Sequence, residues 1–187
     1  MAQEPAGHEK HFQGAAERLR APGRLALMEV PRVVDLCLAA PPCASVLDVG
    51  TGTGLWAEAF ASRGLAAAGV EPNAELLATA VALVTGVDFR KGSAEALPWA
   101  AASFDLVFLG HVLHETDDPL AALSEARRVA RVRVAVLEWP YREEDKGPPF
   151  AIRLQPDRVV ALAERAGFAK IERLALSHMD LYRLTLS

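Results

Sequence analysis

From residue 44 onward, short apolar runs of strand length alternate with longer stretches whose apolar positions fall three or four apart. "ASVLDVG" (44–50), "LAAAGVE" (65–71), "VDFRKG" (87–92), "FDLVFLG" (104–110) and "VRVAVLEW" (132–139) read as strands. "LWAEAFASRG" (55–64), "NAELLATAVAL" (73–83), "PLAALSEARRVA" (119–130) and "PDRVVALAERAGF" (156–168) have helical spacing. Punctuation supports these limits. Asn73 and Asp118 stand at N-cap positions, Pro119 at a first helical position, and Gly64 and Gly167 at helix ends. The chain finishes with "AKIERLAL" and "DLYRLTLS", an antiparallel pair around "SHMD". Residues 1–43 read as one or two helices, forming a cap or lid and stopping at "APPC", where Pro41 and Pro42 end regular structure.

Strand–helix alternation over 44–168 predicts an α/β sheet of parallel strands with helices on both faces, and the final hairpin adds an antiparallel element at one edge. Ligands of such sheets bind beyond the C-terminal strand ends. The 187 residues suit one domain, with 44–187 holding the sheet and the substrate loops. Hydrophobic residues make up 51% and charged residues 24%, a globular balance, and with a net charge of −4 and no basic tract nucleic acid is not an expected partner. No apolar run reaches the roughly 20 residues of a membrane span. The polar N-terminus carries no secretory signal, so Cys37 and Cys43 are expected as reduced thiols and the cytoplasm as the location.

The first strand runs into "VLDVGTGTG" and then a helix. Gly50, Gly52 and Gly54 let a ligand approach the backbone, and free N–H groups at the helix start suit carboxylates or phosphates. "GTGLWA" fits the dinucleotide fingerprint, and Glu71, ending the second strand, is placed to take both hydroxyls of a ribose. That geometry serves NAD and S-adenosylmethionine alike. Asp48, two residues before the first glycine, and the segment after the third strand separate them.

"VLDVGTGTG", "GVEPNAELL", "GSAEALPWAAASFDLVF" and "EARRV", in this order and spacing, resemble the class I S-adenosylmethionine-dependent methyltransferases. The likeness is to the small-molecule branch that includes the ubiquinone/menaquinone-biosynthesis methyltransferases, and it covers about residues 44–139. The resemblance implies a Rossmann-like seven-stranded sheet, mostly parallel with an antiparallel last strand. It implies methyl transfer from S-adenosylmethionine, leaving S-adenosylhomocysteine, to a small-molecule acceptor. Carried over by position, Asp48, Gly50, Gly52 and Gly54, with Thr51 in the same loop, would surround the methionine part. Glu71 would hold the ribose, Pro72 and Asn73 would flank the adenine side, and Ser93, Ala94 and Glu95 would follow the adenine edge. Gly110 and His111 would border the reactive end. Two departures are visible. Ser93 stands where the family usually has an aspartate, and the proline-glycine-glycine turn common before the fifth strand is missing from "RRVARVRVAVLEW".

The stretch "HVLHETDDP" (111–119) therefore falls at the functional face. Three readings stand. His111 touches the cofactor and His114 serves as the base; or His114 and Glu115 are solvated while Asp118 caps a helix; or the pair His111/His114 joins His8/His11 at a metal. The cofactor reading needs no metal. Glu138, Trp139 and Tyr141 are candidates to face the pocket, and "HEKHFQGAAERL" to close over it through Phe12. Trp56 and Phe60 read as core. The rival functions are S-adenosylmethionine binding without catalysis, a NAD-dependent oxidoreductase, and a scaffold that binds no cofactor.

Overall fold

The computed structural model describes residues 16–39 and 41–186. The proposed lid contact Phe12 and the histidine pair His8/His11 lie outside them. Three short helices come first: α1 (Ala16–Leu19), α2 (Pro22–Leu27) and α3 (Val30–Leu38). One or two were expected. Pro22 and Pro31 each occupy the first turn of a helix, where the missing N–H and fixed φ are tolerated, so each proline restarts the chain in a new direction.

The remainder alternates as anticipated: β1 (Ser45–Val49), α4 (Leu55–Ala61), β2 (Ala66–Glu71), α5 (Ala74–Leu83), β3 (Asp88–Lys91), β4 (Phe104–Gly110), α6 (Pro119–Val129), β5 (Ala130–Glu138), α7 (Pro156–Arg165), β6 (Lys170–Ala175) and β7 (Asp180–Thr185). The seven strands form one sheet in the order β3-β2-β1-β4-β5-β7-β6. Pairings from β3 through β5 are parallel, and β7 runs antiparallel to both β5 and β6. The terminal hairpin is thus at the edge, but its last strand inserts inward and leaves β6 outermost.

Side chains alternate across the sheet with period two, which divides the core. Val46, Leu106, Phe108, Ala135 and Leu137 pack with Val33, Cys37, Trp56 and Phe60 of α3 and α4. Their neighbours Leu47, Val107, Leu109, Val134 and Val136 pack with Leu123, Ala126, Val159 and Leu162 of α6 and α7. Both faces are covered, so the central strands are apolar in succession. Trp56 and Phe60 are core, each beside Phe108 at 4.9 and 5.3 Å between ring centroids. The missing glycine turn has a simple consequence: α6 passes into β5 with no residue between Val129 and Ala130.

Two helix ends show how local chemistry sets the layout. At α7, Gly167 has φ +87, its N–H bonds the carbonyl of Glu164, and the Phe168 N–H bonds that of Ala163, a Schellman closure with Phe168 buried. At α3, the buried guanidinium of Arg133 on β5 donates to the carbonyls of Cys37, Ala39 and Pro41, satisfying groups the helix end leaves open. No described helix is long and apolar enough to cross a membrane.

Candidate functional site

A cavity of about 700 Å³ lies beyond the C-terminal ends of the strands. It crosses four neighbouring strand ends in the order β3, β2, β1, β4, a span of roughly 14 Å at the usual inter-strand spacing. The sheet thus brings together residues distant in sequence. Ser93, Ala94 and Glu95 line it after β3; Glu71, Pro72 and Asn73 after β2; Gly50 and Gly52 after β1; Gly110 and His111 after β4. Leu19 and Arg24 of the N-terminal helices, with Leu76, Val112, Glu115, Thr116, Asp117 and Asp118, complete the wall.

Asp48, Thr51 and Gly54 do not reach the cavity wall. Asp48 is buried beneath the glycine loop, where Oδ2 accepts from the Thr51 hydroxyl at 2.6 Å and the Ala57 N–H at 3.0 Å. Its Oδ1 has no hydrogen-bond partner among the described residues. Burial pushes the Asp48 carboxyl up to about 7, while the bonds from Thr51 and Ala57 pull the other way. These residues shape the loop from behind. Gly50 shows why the loop has no side chain: its φ is +63, and a Cβ there would collide with Cγ2 of Val112. Gly50→Ala is expected to lower unfolding stability by about 2 kcal/mol, part backbone strain and part overlap. Denaturant midpoints would measure it. Val112→Ala added to Gly50→Ala should recover the overlap part.

Glu71 sits at the centre. Its Oε2 accepts from the Gly52 N–H at 2.9 Å and its Oε1 from the Asn73 N–H at 3.0 Å. One carboxylate thereby joins the glycine loop to the start of α5. Its two oxygens offer about four lone-pair sites in all. The Asn73 side chain caps α5 by accepting from the N–H groups of Glu75 and Leu76. Glu95 accepts from the Asp117 N–H at 3.1 Å, tying the β3 side of the cavity to the β4 side.

The two histidines differ sharply. His111 has φ +62, unusual outside glycine, with its N–H bonded to the Leu137 carbonyl at 2.8 Å. Its buried ring lies 5.2 Å from that of Trp139, and Nε2 is 3.3 Å from Sδ of Met179. Burial, then the nearby charges of Arg24 and His114, hold its pKa well below the ordinary value, so the ring is neutral. His114 is buried without reaching the cavity, and its Nδ1 is 2.7 Å from Oε2 of Glu138. Glu138 Oε1 also accepts the His114 N–H at 3.2 Å. Burial opposes the imidazolium, but the charge and hydrogen bond of Glu138 prevail and raise the His114 pKa. A solvated His114 is therefore not what the structure shows. Asp118 does cap α6, accepting from Leu120 and Ala121.

Of the other pocket candidates, Glu138 and Trp139 are buried outside the cavity and Tyr141 is exposed beside Phe150. Trp139 packs under Arg153, whose guanidinium gathers the carbonyls of Pro140, Arg142, Lys146 and Pro148 and so organises the proline-rich loop. Among the described residues, no three His, Cys, Asp or Glu side chains converge as a metal would require. Sequence reasoning passed over Leu19 and Arg24. Nothing local distinguishes Arg24 among the chain's 20 lysines and arginines.

A family model described as a methyltransferase domain matches residues 47–136. Residues 47–136 thus resemble a methyltransferase domain. Its relatives include an uncharacterized methyltransferase of Mycobacterium sp. (strain JLS), 36% identical over 113 residues, covering 58% of this chain and 45% of the relative. A demethylmenaquinone methyltransferase of Renibacterium salmoninarum is 35% identical over 100 residues, covering 54% and 42%. The chain thus spans less than half the length of these curated relatives. Among solved structures, a SAM-dependent methyltransferase from Aquifex aeolicus superposes with TM-score 0.83 at 24% identity, covering 92% of this chain and 97% of that one. The chain therefore shares the Rossmann-like fold of that structure, and the residues matched by the family model include the glycine loop, Glu71 and the 93–95 segment.

Proposed function

We propose that this chain binds S-adenosylmethionine across the four strand ends and transfers its methyl group to a small molecule. One observation carries the choice of cofactor: the charge of the cavity wall. Among the described residues that line it, Glu71, Glu95, Glu115, Asp117 and Asp118 contribute carboxylates, against one guanidinium, that of Arg24. Such a wall repels the pyrophosphate of a dinucleotide and suits a sulfonium cation. The glycine loop admits the ligand backbone-close, and Glu71 lies between that loop and Ser93, where a ribose diol would sit. Magnesium protoporphyrin IX methyltransferase from Synechocystis, solved with bound SAH, shares the fold at 16% identity and TM-score 0.67, which supports the reading.

Bound S-adenosylmethionine supplies an already activated methyl group. The chain's part is to bind it, align an acceptor and keep water out. Gly50, Gly52, Glu71, Pro72, Asn73, Ser93, Ala94, Glu95, Gly110 and His111 would hold it, with Asp48, Thr51 and Gly54 fixing the loop behind. The neutral His111 ring presents an uncharged wall at the β4 end. His114 would act through Glu138 as a positioning residue for the 111–117 loop. The modest cavity favours a small acceptor over a macromolecule, and the two free thiols suit a reducing cytoplasm.

Calorimetry is expected to give micromolar affinity for S-adenosylhomocysteine, about −8 kcal/mol, with NAD much weaker. Equal or tighter NAD binding would overturn the assignment. Transfer is tested by S-adenosylhomocysteine formation over a panel of small acceptors, and binding without any transfer would reduce the chain to a cofactor-binding protein.

A further inference from the structure

His111 is held at three points. Its φ of +62 is costly for a residue other than glycine, and the bond of 2.8 Å from its N–H to the Leu137 carbonyl fixes the backbone there. The indole of Trp139 lies beside the ring at 5.2 Å between centroids. Nε2 is 3.3 Å from Sδ of Met179, on the turn between β6 and β7. A thioether sulfur can accept a hydrogen bond and has no proton to give. Nε2 therefore carries the ring proton, and the neutral ring keeps a bare lone pair on Nδ1. Nδ1 has no hydrogen-bond partner among the described residues, and it is not sealed from solvent, unlike Asp48 Oδ1, which is buried without one. His111 lines the cavity, so this lone pair opens onto it at the β4 end.

We infer that His111 Nδ1 takes the proton of a hydroxyl acceptor as the acceptor's oxygen receives the methyl group. The inference deepens the methyl-transfer reading above and rests on it. An oxygen lone pair forms the new C–O bond, and the S–CH3 bond breaks with its electron pair passing to sulfur. The O–H bond breaks with its electrons kept by oxygen, and the proton goes to Nδ1. The products are an O-methyl ether, S-adenosylhomocysteine and an imidazolium, which returns its proton to water. The positive charge moves from sulfur to ring inside a wall rich in carboxylates. The choice of oxygen follows from how weak a base this ring is. Burial, then the charges of Arg24 on α2 and of His114 in the same loop, hold its pKa well below the ordinary value. An oxygen that gained a methyl and kept its proton would be an oxonium, acidic enough to yield that proton to a weak base. An amine that gains a methyl becomes an ammonium with a pKa of about 10, which keeps its proton against such a ring. A thioether acceptor has no proton to remove. His114 is not placed for the step, because its Nδ1 is engaged by Glu138 and it does not reach the cavity.

Phenol and anisole are the probes, since one is the other with its hydroxyl hydrogen replaced by methyl. Nitrogen NMR of histidine-labelled wild-type protein with S-adenosylhomocysteine bound should show His111 as the neutral Nε2–H tautomer at about pH 7. Phenol should shift the Nδ1 resonance and leave Nε2 in place, and anisole should shift neither. In the acceptor panel, hydroxyl compounds should be methylated at a rate that holds as pH falls to about 6.5 and drops only below it. His111→Asn suits the positive φ and keeps an uncharged acceptor atom, but it is no base. It should hold S-adenosylhomocysteine within about 5-fold of wild type and slow transfer roughly 10²–10⁴-fold. The wild-type spectra decide the matter if that variant does not fold. A protonated or Nδ1–H ring at about pH 7, or an Nδ1 resonance that phenol does not move, would overturn the inference. So would a folded His111→Asn enzyme of full rate, or a panel in which only amines, only thioethers or no compounds are methylated. A rate that already falls above pH of about 6.5 would overturn it too and give the proton to His114, whose pKa is raised. If S-adenosylhomocysteine does not bind wild-type protein, the cofactor reading fails first and this inference with it.

Discussion

Glu138→Ala is expected to lower unfolding stability by about 3–5 kcal/mol, the usual cost of leaving one partner of a buried ion pair alone. Glu138 and His114 are each 3% exposed at the side chain, and Glu138 meets both the ring and the backbone N–H of His114. Removing the carboxylate orphans two donors in the loop that forms the β4 end of the cavity. The loss should depend on pH. The folded-state pKa of His114 is raised, so its contribution is fully present below the unfolded value, about 6.5, and disappears as pH rises through the raised one. The gap between wild type and Glu138→Ala should therefore narrow from pH 6 toward pH 9. His111 works the other way. Its pKa is depressed by burial, so its part is lost as pH falls below about 6.5, and it is common to both proteins. Denaturant unfolding across pH reads the difference directly, and a pH-independent gap would show that His114 stays neutral beside Glu138. His114→Ala should likewise lose stability. A fully stable His114→Ala protein that binds the cofactor yet transfers roughly 10²–10⁴-fold more slowly would instead make the ring a base.

Glu71→Ala is expected to weaken S-adenosylhomocysteine binding by about 2–4 kcal/mol, as two charge-assisted hydrogen bonds to the ribose are lost. A carboxylate at a strand end invites the expectation that it serves a ligand without a part in folding. The structure changes that expectation. Glu71 already accepts from the N–H groups of Gly52 and Asn73, so its removal should also cost about 1–3 kcal/mol of stability. Glu71→Gln separates the effects. Its amide oxygen can keep one backbone bond, and it loses the charge. Calorimetry and unfolding measured on both variants give the two terms, and wild-type cofactor affinity in Glu71→Ala would place the ribose elsewhere.

The sequence by itself determined the sheet and its ligand-facing edge, because those rest on local signals. Period-two runs, helical stripes, the caps at Asn73 and Asp118 and the closure at Gly167 are chosen by residues within a few positions of one another. The glycine loop was readable for the same reason: a positive φ at Gly50 is a property of one residue. What the tertiary structure decided is every pairing that depends on strand register. Gly110 opposite Leu137 brings Glu138 beside His114, 24 residues away in the chain, and converts an apparently solvated loop histidine into half of a buried pair. The fold of β1 against β2 puts Glu71 onto the Gly52 N–H, giving a residue read from the sequence as a ligand contact a structural duty as well. Pro22 and Pro31 divide the N-terminal segment into short helices, and their packing over the glycine loop carries Arg24 to the cavity wall. Long-range placement of a single charge leaves no mark in its own neighbourhood of sequence, since the energy that fixes it comes from burial of the helices around it.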